Sequence, residues 1–323
     1  MTHKSILIIH TGGTIGMVQS EAGYVPKIGV MEEEIEKQIA ARPEEISYEI
    51  VRLDPLIDSA NATPRDWNRI SGQIMAFYSE YDGFIVTHGT DTMAFCAAAL
   101  CMSLEGLDKP IVLTGAMLPL SEPGSDGSPN LADTIESVLT AEPGVWIQFS
   151  GRLLHGARTR KIHSRDNDAF SAQPSQVPPR RISGTVLRHV FGQKEVAVVT
   201  VVPGGSMEVI EFAMSKCDGV VLRCYGSGTV PNHPTLERAL AAAKRRNIPV
   251  VVVSECLGGG TSLGSYEAGA VLVRYGVIDG RDMTMEAAYA KLALALNTRM
   301  SRATQRDFIL APICGEFSTY LAA

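Results

Sequence analysis

Two hydroxyl-rich loops, Thr11-Gly12-Gly13-Thr14-Ile15-Gly16 and His88-Gly89-Thr90-Asp91-Thr92, contain the residues of this chain best suited to covalent chemistry. A threonine hydroxyl is a weak nucleophile until a base or an oriented partner takes its proton, so Thr14 and Thr90 need a second group brought to them. Asp91 adjoins Thr90 and supplies a carboxylate that either holds a substrate amine or orients a base. Far along the chain, Arg158-Thr159-Arg160-Lys161-Ile162-His163 is basic in an acidic protein. Lys161, if set beside Asp91 and a threonine hydroxyl in a dry pocket, could give up its proton and serve as that base. Tyr24 follows Thr14 in a polar, glycine-punctuated segment, where an aromatic on a loop could close over a ligand. Each feature also has a plainer explanation. Thr90 or Asp91 could simply cap a helix, the basic run could be a solvated face, and His88 suits loop support better than base catalysis.

Both loops follow apolar runs that read as buried strands, Ser5 to His10 and Gly83 to Thr87. In an open parallel α/β sheet, the loops leaving the carboxyl ends of the strands line the ligand crevice. A polar segment spans Met17 to Gly29, a helix is expected over Val30 to Ala41, and a strand near Tyr48 to Leu53. Thr63-Pro64-Arg65-Asp66 reads as a helix start, with a capping threonine, proline at the first helical position and acid in the first turn; that helix extends to about Glu80. A helix from Asp91 to Leu107 follows the second loop, and a strand over Pro110 to Leu113 leads into Thr114-Gly115-Ala116. Val145 to Phe149 and Arg152 to Gly156 suggest a hairpin. The alternation predicts an α/β fold: a larger N-terminal domain with a mostly parallel doubly wound sheet, plus a smaller C-terminal α/β domain.

Ser171 to Arg181 holds three prolines and no hydrophobic period, so it reads as a surface connection. The expected boundaries are a domain over 1–181 carrying the threonines, a linker over 182–195 and a smaller domain over 196–323. In the last, Val196 to Val202, Gly219 to Leu222 and Pro249 to Ser254 are strand-like, with a helix over Pro234 to Asn247.

Composition narrows the function classes. A net charge of -6 over 323 residues argues against a nucleic-acid surface, which calls for basic excess. No run approaches the roughly 20 apolar residues of a membrane helix. The apolar stretch Ile6 to Ile9 is too short for a secretory signal, which points to a cytoplasmic protein with no membrane partner. The six cysteines, Cys96, Cys101, Cys217, Cys224, Cys256 and Cys314, lie in or beside apolar segments without C-x-x-C spacing, as reduced core thiols do. His155 and His163 lack metal-ligand spacing to any acidic cluster, so no metal site is expected. Gly258-Gly259-Gly260 lacks the spacing and following lysine of a phosphate loop.

Taken together, Thr11 to Gly16, Asp58-Ser59, Asp82-Gly83, His88 to Thr92, Thr114-Gly115-Ala116 and Lys161 resemble the bacterial-type L-asparaginases, specifically their cytoplasmic type I branch. The resemblance spans nearly the whole chain. Farther on it rests on Arg223-Cys224-Tyr225-Gly226-Ser227-Gly228 and Ser254-Glu255-Cys256. It implies hydrolysis of the L-asparagine side-chain amide to aspartate and ammonia, without metal or organic cofactor. It also implies Thr14 as primary nucleophile, helped by Tyr24, and Thr90, Asp91 and Lys161 as a second catalytic group. Asp91 would also bind the substrate amine, alongside Asp58, Ser59, Gly89, Thr90 and Ala116 in the substrate site. Ser59 would hold the α-carboxylate and the Ala116 carbonyl would accept from the leaving amide. Backbone N–H groups of Gly12-Gly13 or Gly89-Thr90 could stabilise the oxyanion of an acyl-transfer step. Family members assemble as homodimers or homotetramers, and some cytoplasmic relatives bind asparagine at a second site, for which Arg223 and Cys256 are candidates. Arg160 departs from the smaller neighbour that type I relatives often place beside the lysine.

A site that pairs both α-substituents of asparagine strongly rejects analogues lacking one, whereas the extra methylene of glutamine is worth only about 1–3 kcal/mol, leaving room for minor glutaminase activity. Two other classes compete. A dinucleotide-binding protein would need G-x-G-x-x-G after the first strand, which Thr11 to Gly16 lacks. A non-catalytic amino-acid sensor would need Asp91 and Ser59 but not Thr14, Tyr24 and Lys161, all of which are present. Within the enzyme reading, an archaeal-type amidotransferase subunit shares the threonine motifs but normally carries an extra N-terminal domain, whereas this chain starts at its first strand.

Overall fold

The computed structural model describes residues 3–21, 23–43, 45–297 and 301–319. The chain divides into two compact units, Met1–His189 and Val190–Ala323. In chain order the first unit contains β1 (Lys4–His10), β2 (Met17–Ser20), β3 (Gly23–Pro26), α1 (Val30–Ala40), β4 (Ile46–Arg52), α2 (Pro64–Ala76), β5 (Gly83–Thr87) and α3 (Met93–Ser103). It continues with β6 (Leu104–Glu105), β7 (Pro110–Thr114), α4 (Gly127–Thr140), β8 (Gly144–Phe149), β9 (Arg152–His155), β10 (Thr159–Lys161), β11 (Phe170–Ala172) and β12 (Leu187–Arg188).

Its main sheet has the order β4-β1-β5-β7-β8-β9; the first five strands are parallel and β9 returns antiparallel from β8. This is the mostly parallel sheet expected. Ile6 to Ile9 are fully buried, and β5 and β7 are buried along their length, which is why they read as continuous apolar runs rather than alternating ones. Helix α3 is buried at every position but Phe95, so it too is apolar all round.

Several boundaries differ from expectation for local reasons. Helix α3 starts at Met93, not Asp91, because the Thr92 hydroxyl donates to the Ser59 carbonyl at 2.8 Å and Asp91 pairs with Lys161. It stops at Ser103, where β6 pairs antiparallel with β12. Residues 182–195, expected as a linker, include that strand β12, and the first unit runs on to His189. The polar segment after Thr14 contains the antiparallel hairpin β2–β3, with Gln19 opposite Tyr24. Helix α2 ends at Ala76, short of Glu80.

The second unit contains β13 (Val196–Thr200), α5 (Met207–Lys216), β14 (Gly219–Cys224), α6 (Pro234–Arg246), β15 (Val250–Ser254), α7 (Ala270–Arg274), β16 (Ile278–Asp279), α8 (Met285–Asn297) and α9 (Arg302–Leu310). Its four strands form a parallel sheet in chain order. Its core is built on Val220, Leu222, Leu236, Leu240, Val250 and Val252. Helix α6 shows how sequence sets a boundary: the His233 ring accepts from the Thr235 N–H at 3.2 Å, Pro234 opens the helix, and Asn247 closes it at φ 56°. The helices contain no span long and apolar enough to cross a membrane, among the described residues.

Candidate active site

In the main sheet the chain winds outward from β1 to β4 on one side and from β5 through β7 to β8 on the other. The carboxyl ends of β1 and β5 therefore flank the topological switch point, where open α/β sheets bind ligands. The Thr14 loop leaves β1 and the Thr90 loop leaves β5.

Backbone packing draws these loops together. The Thr11 hydroxyl donates to the Thr87 carbonyl at 2.7 Å, and the Ile57 N–H donates to the Thr11 carbonyl at 2.6 Å. Gly13 has φ 96°, and a Cβ there would lie 2.6 Å from the Gly89 nitrogen. A Cβ on Gly89 would collide with the Ser59 side chain. Glycine is thus required at both positions, at Gly13 by backbone angle and contact and at Gly89 by contact alone. The result is convergence of the Thr14 loop, Ser59 and Thr90. Thr14 opens a single 3-10 turn, Thr14–Gly16, whose Ile15 carbonyl accepts from Leu120 at 3.2 Å.

Lys161 arrives from β10, which pairs with β11 so that Lys161 lies opposite Phe170. Its Nζ lies 2.8 Å from Thr90 Oγ1 and 2.7 Å from Asp91 Oδ1. The lysine side chain is 19% exposed and the aspartate 66%, so the amine is largely sheltered while the carboxylate remains open to an incoming cation. Thr90, Asp91 and Lys161, which sequence reading grouped across 71 residues, form one cluster.

The remaining expected residues are placed as follows. Ser59 is buried, in a turn held by Asp58, whose carboxylate accepts from the Ala60 N–H at 3.1 Å and from the Asn61 amide at 2.8 Å. Asp58 thereby shapes the turn that presents Ser59. Ala116 is buried in the loop after β7. Tyr24, on β3, is 45% exposed, with the Glu122 carboxylate near its hydroxyl. Partial desolvation and then the Glu122 carboxylate hold its phenol above the usual tyrosine range. Arg223 and Cys256 lie at the carboxyl ends of the adjacent strands β14 and β15 of the second unit. Cys256 is exposed and Cys217 half-buried, so the expectation of uniformly core cysteines is corrected; Cys256 falls in the irregular segment after β15, beyond the sheet that buries Cys224.

His88 is buried behind the second loop, with Nδ1 2.8 Å from the Gly89 carbonyl, and burial pushes its imidazole below the ordinary histidine range. His10, at the end of β1, is likewise lowered by burial and lies 2.8 Å from the Thr87 hydroxyl. Both are neutral supports of the loops at neutral pH. His163 closes a turn, its Nδ1 accepting from Asp166 at 2.7 Å.

Sequence reading missed Asp126 and Asn130, which hold the loop containing Ala116. Both belong to the start of α4, a helix that went unread. Leu131, Ile135 and Val138, spaced as one helical face and all buried, were the signal available.

Fold and site define a two-unit α/β protein with a threonine–lysine–aspartate cluster at the switch point of a parallel sheet. Residues 5–189 match the family described as Asparaginase, N-terminal, and residues 195–309 match the Glutaminase/Asparaginase C-terminal domain. The chain is 37% identical to L-asparaginase 1 of Escherichia coli (strain K12), covering 98% of this chain and 99% of that protein. It is 32% identical to an L-asparaginase of Thermococcus kodakarensis, covering 97% and 99% respectively. Among solved structures, L-asparaginase I from Vibrio cholerae O1 biovar eltor matches with a TM-score of 0.88 at 34% identity, covering 98% of this chain and all of that one (100%). The chain belongs to the asparaginase family.

Proposed function

We propose that the protein hydrolyses the side-chain amide of L-asparagine to L-aspartate and ammonia through a threonine acyl-enzyme. The observation that carries this reading is the contact of Lys161 Nζ with both Thr90 Oγ1, at 2.8 Å, and Asp91 Oδ1, at 2.7 Å, at the switch point. In the first step Thr14 Oγ bonds to the amide carbon and the C–N bond breaks. The hydroxyl proton passes to the departing nitrogen, which leaves as ammonia. Water then attacks the ester and releases aspartate, regenerating the hydroxyl. Splitting the reaction in this way replaces one difficult step with two easier acyl transfers.

The substrate α-ammonium docks on Asp91, whose carboxylate is open to solvent, while Ser59 and its backbone hold the α-carboxylate. A cation arriving at Asp91 competes with Lys161 for the carboxylate, and Lys161, once its own proton has passed to solvent, takes one from Thr90 or from water. Tyr24 helps to activate Thr14 as its hairpin closes over the site. Glutamine turnover is expected to be minor, the protein to act in the cytoplasm as a homodimer or homotetramer, and Arg223 and Cys256 to be candidates for an effector site.

Ammonia release from purified protein tests the reading, with L-asparagine titrated from micromolar to millimolar concentration and L-glutamine run beside it. Asparagine turnover well above glutamine turnover is expected. Binding of asparagine without turnover of either amide would overturn the proposal in favour of a sensor.

A further inference from the structure

The loop leaving β7, Gly115-Ala116-Met117-Leu118, has no side chain able to do acid–base chemistry, yet its backbone is held from one side by two buried polar residues of the α4 start. Asp126, 6% exposed, accepts from the Met117 N–H at 2.9 Å on each oxygen, from the Leu118 N–H at 2.9 Å and from Asn130 Nδ2 at 3.2 Å. Asn130, 2% exposed, also donates to the Gly115 carbonyl at 3.0 Å and accepts from the Ser150 N–H at 2.9 Å. The peptide units on both sides of Ala116 are therefore fixed in orientation.

Across a trans peptide, the carbonyl and the following N–H point in opposite directions. The Met117 N–H is aimed at Asp126, so the Ala116 carbonyl faces away from it. The loop itself is pressed onto the start of the second threonine motif, since a Cβ on Gly115 would collide with the His88 carbonyl and lie 2.9 Å from Met93 Cε. The His88 N–H also donates to the Thr114 carbonyl at 2.8 Å. An acceptor directed away from Asp126 on this loop suits a donor bound between the threonine loops.

Building on the proposed hydrolysis of asparagine, we infer that Asp126 and Asn130 are positioning residues that aim the Ala116 carbonyl at the leaving nitrogen and thereby favour amides over esters. An amide nitrogen carries N–H bonds that a carbonyl accepts throughout departure. An ester offers alkoxy lone pairs that a carbonyl repels. In both cases the Thr14 oxygen bonds to the acyl carbon; C–N cleavage releases ammonia, whereas C–O cleavage of a methyl ester releases methanol with the same proton.

The test compares kcat/KM for L-asparagine with that for L-aspartic acid β-methyl ester, both read as aspartate release by the full-length protein. Asp126→Asn replaces one acceptor oxygen with a donor facing Met117 or Asn130. It is expected to lower the amide-to-ester ratio by about tenfold, chiefly through kcat for the amide, as loss of one well-aimed hydrogen bond does. Asn130→Ala is expected to move the ratio in the same direction and serves as the reading if Asp126→Asn does not fold. Ser137→Ala, which removes only the α4 hydrogen bond to Gln148, is expected to keep the wild-type ratio. A ratio that falls much less than this in both site variants, with amide and ester rates lost together or both retained, would overturn the positioning role. Wild-type protein that hydrolyses neither compound would instead overturn the underlying reaction.

Discussion

Lys161–Asp91 in the first unit and Lys291–Glu316 in the second join the same functional groups in opposite surroundings. Lys291 and Glu316 have fully buried side chains, and Lys291 also donates to the Ala311 carbonyl at 2.5 Å and lies 4.8 Å from the Phe317 ring centre. Burial works against the Glu316 carboxylate, yet the Lys291 ammonium and the N–H groups of Ile313 and Cys314 outweigh it and hold the acid below the usual carboxylate range. The two groups are hydrogen-bonded to one another and to the surrounding backbone, and neither side chain is exposed to solvent. Lys161 instead touches a threonine hydroxyl, and its acid partner faces solvent. A charge pair becomes chemistry when it is left with an unfilled contact and a neighbour whose proton it can take; sealed and fully hydrogen-bonded, the same pair is structural.

Several perturbations sharpen this contrast. Thr14→Ala and Thr90→Ala should each cut asparagine turnover by at least about 10²–10⁴-fold, or about 2.7–5.5 kcal/mol of barrier, with thermal unfolding little changed. Wild-type rates in both variants would remove the threonines from the mechanism. Lys291→Met should destabilise the protein by about 3–5 kcal/mol in urea unfolding, because the Glu316 charge is left buried without its counter-ion. The double variant Lys291→Met with Glu316→Gln, whose amide oxygen can still accept from Ile313 and Cys314, should recover most of that loss, and a double variant no better than the single would show that packing rather than charge is at stake.

The two units also differ in how acid acts on them. His10 and His88 are held neutral by burial, so the unfolded chain takes up protons that the folded chain refuses. Their contribution is fully present above about pH 6.5 and declines as pH falls below it. Glu316 has a depressed folded value, so its contribution persists down to about pH 4.3 and is lost only below that. Urea midpoints measured from pH 8 to pH 4 should therefore begin to fall near pH 6.5, and a flat profile down to pH 5 would contradict neutral buried histidines. The smallest effect is expected at an exposed pair: Lys194, 51% exposed, lies 2.8 Å from Asp218. Lys194→Ala should cost less than about 1 kcal/mol by the same unfolding assay.

The strands of the main sheet were legible because burial on both faces leaves nearly uninterrupted apolar runs such as Ile6 to Ile9. The threonine loops were legible because glycines interrupt those runs where the backbones cross. What was not legible depends on contacts distant in sequence or on weak local signals. Helix α4 opens with Gly127, Ser128, Pro129 and Asn130, which are poor helix formers away from a first turn, and hairpin β2–β3 is largely exposed with little periodicity. Asp126 and Asn130 act on backbone atoms of another loop, a task that leaves no spacing motif. Lys161 stood out by its basic neighbourhood and by resemblance, while its placement depends on the β10–β11 pairing.

Lys161 serves the chemical step rather than the fold, and the decisive experiment on it is Lys161→Met, with asparagine binding by calorimetry and ammonia release measured on the same preparation. Retained binding and an unchanged melting curve are expected, with turnover reduced by about 10²–10⁴-fold. Wild-type turnover, or a loss of turnover matched by a loss of folding, would contradict that role.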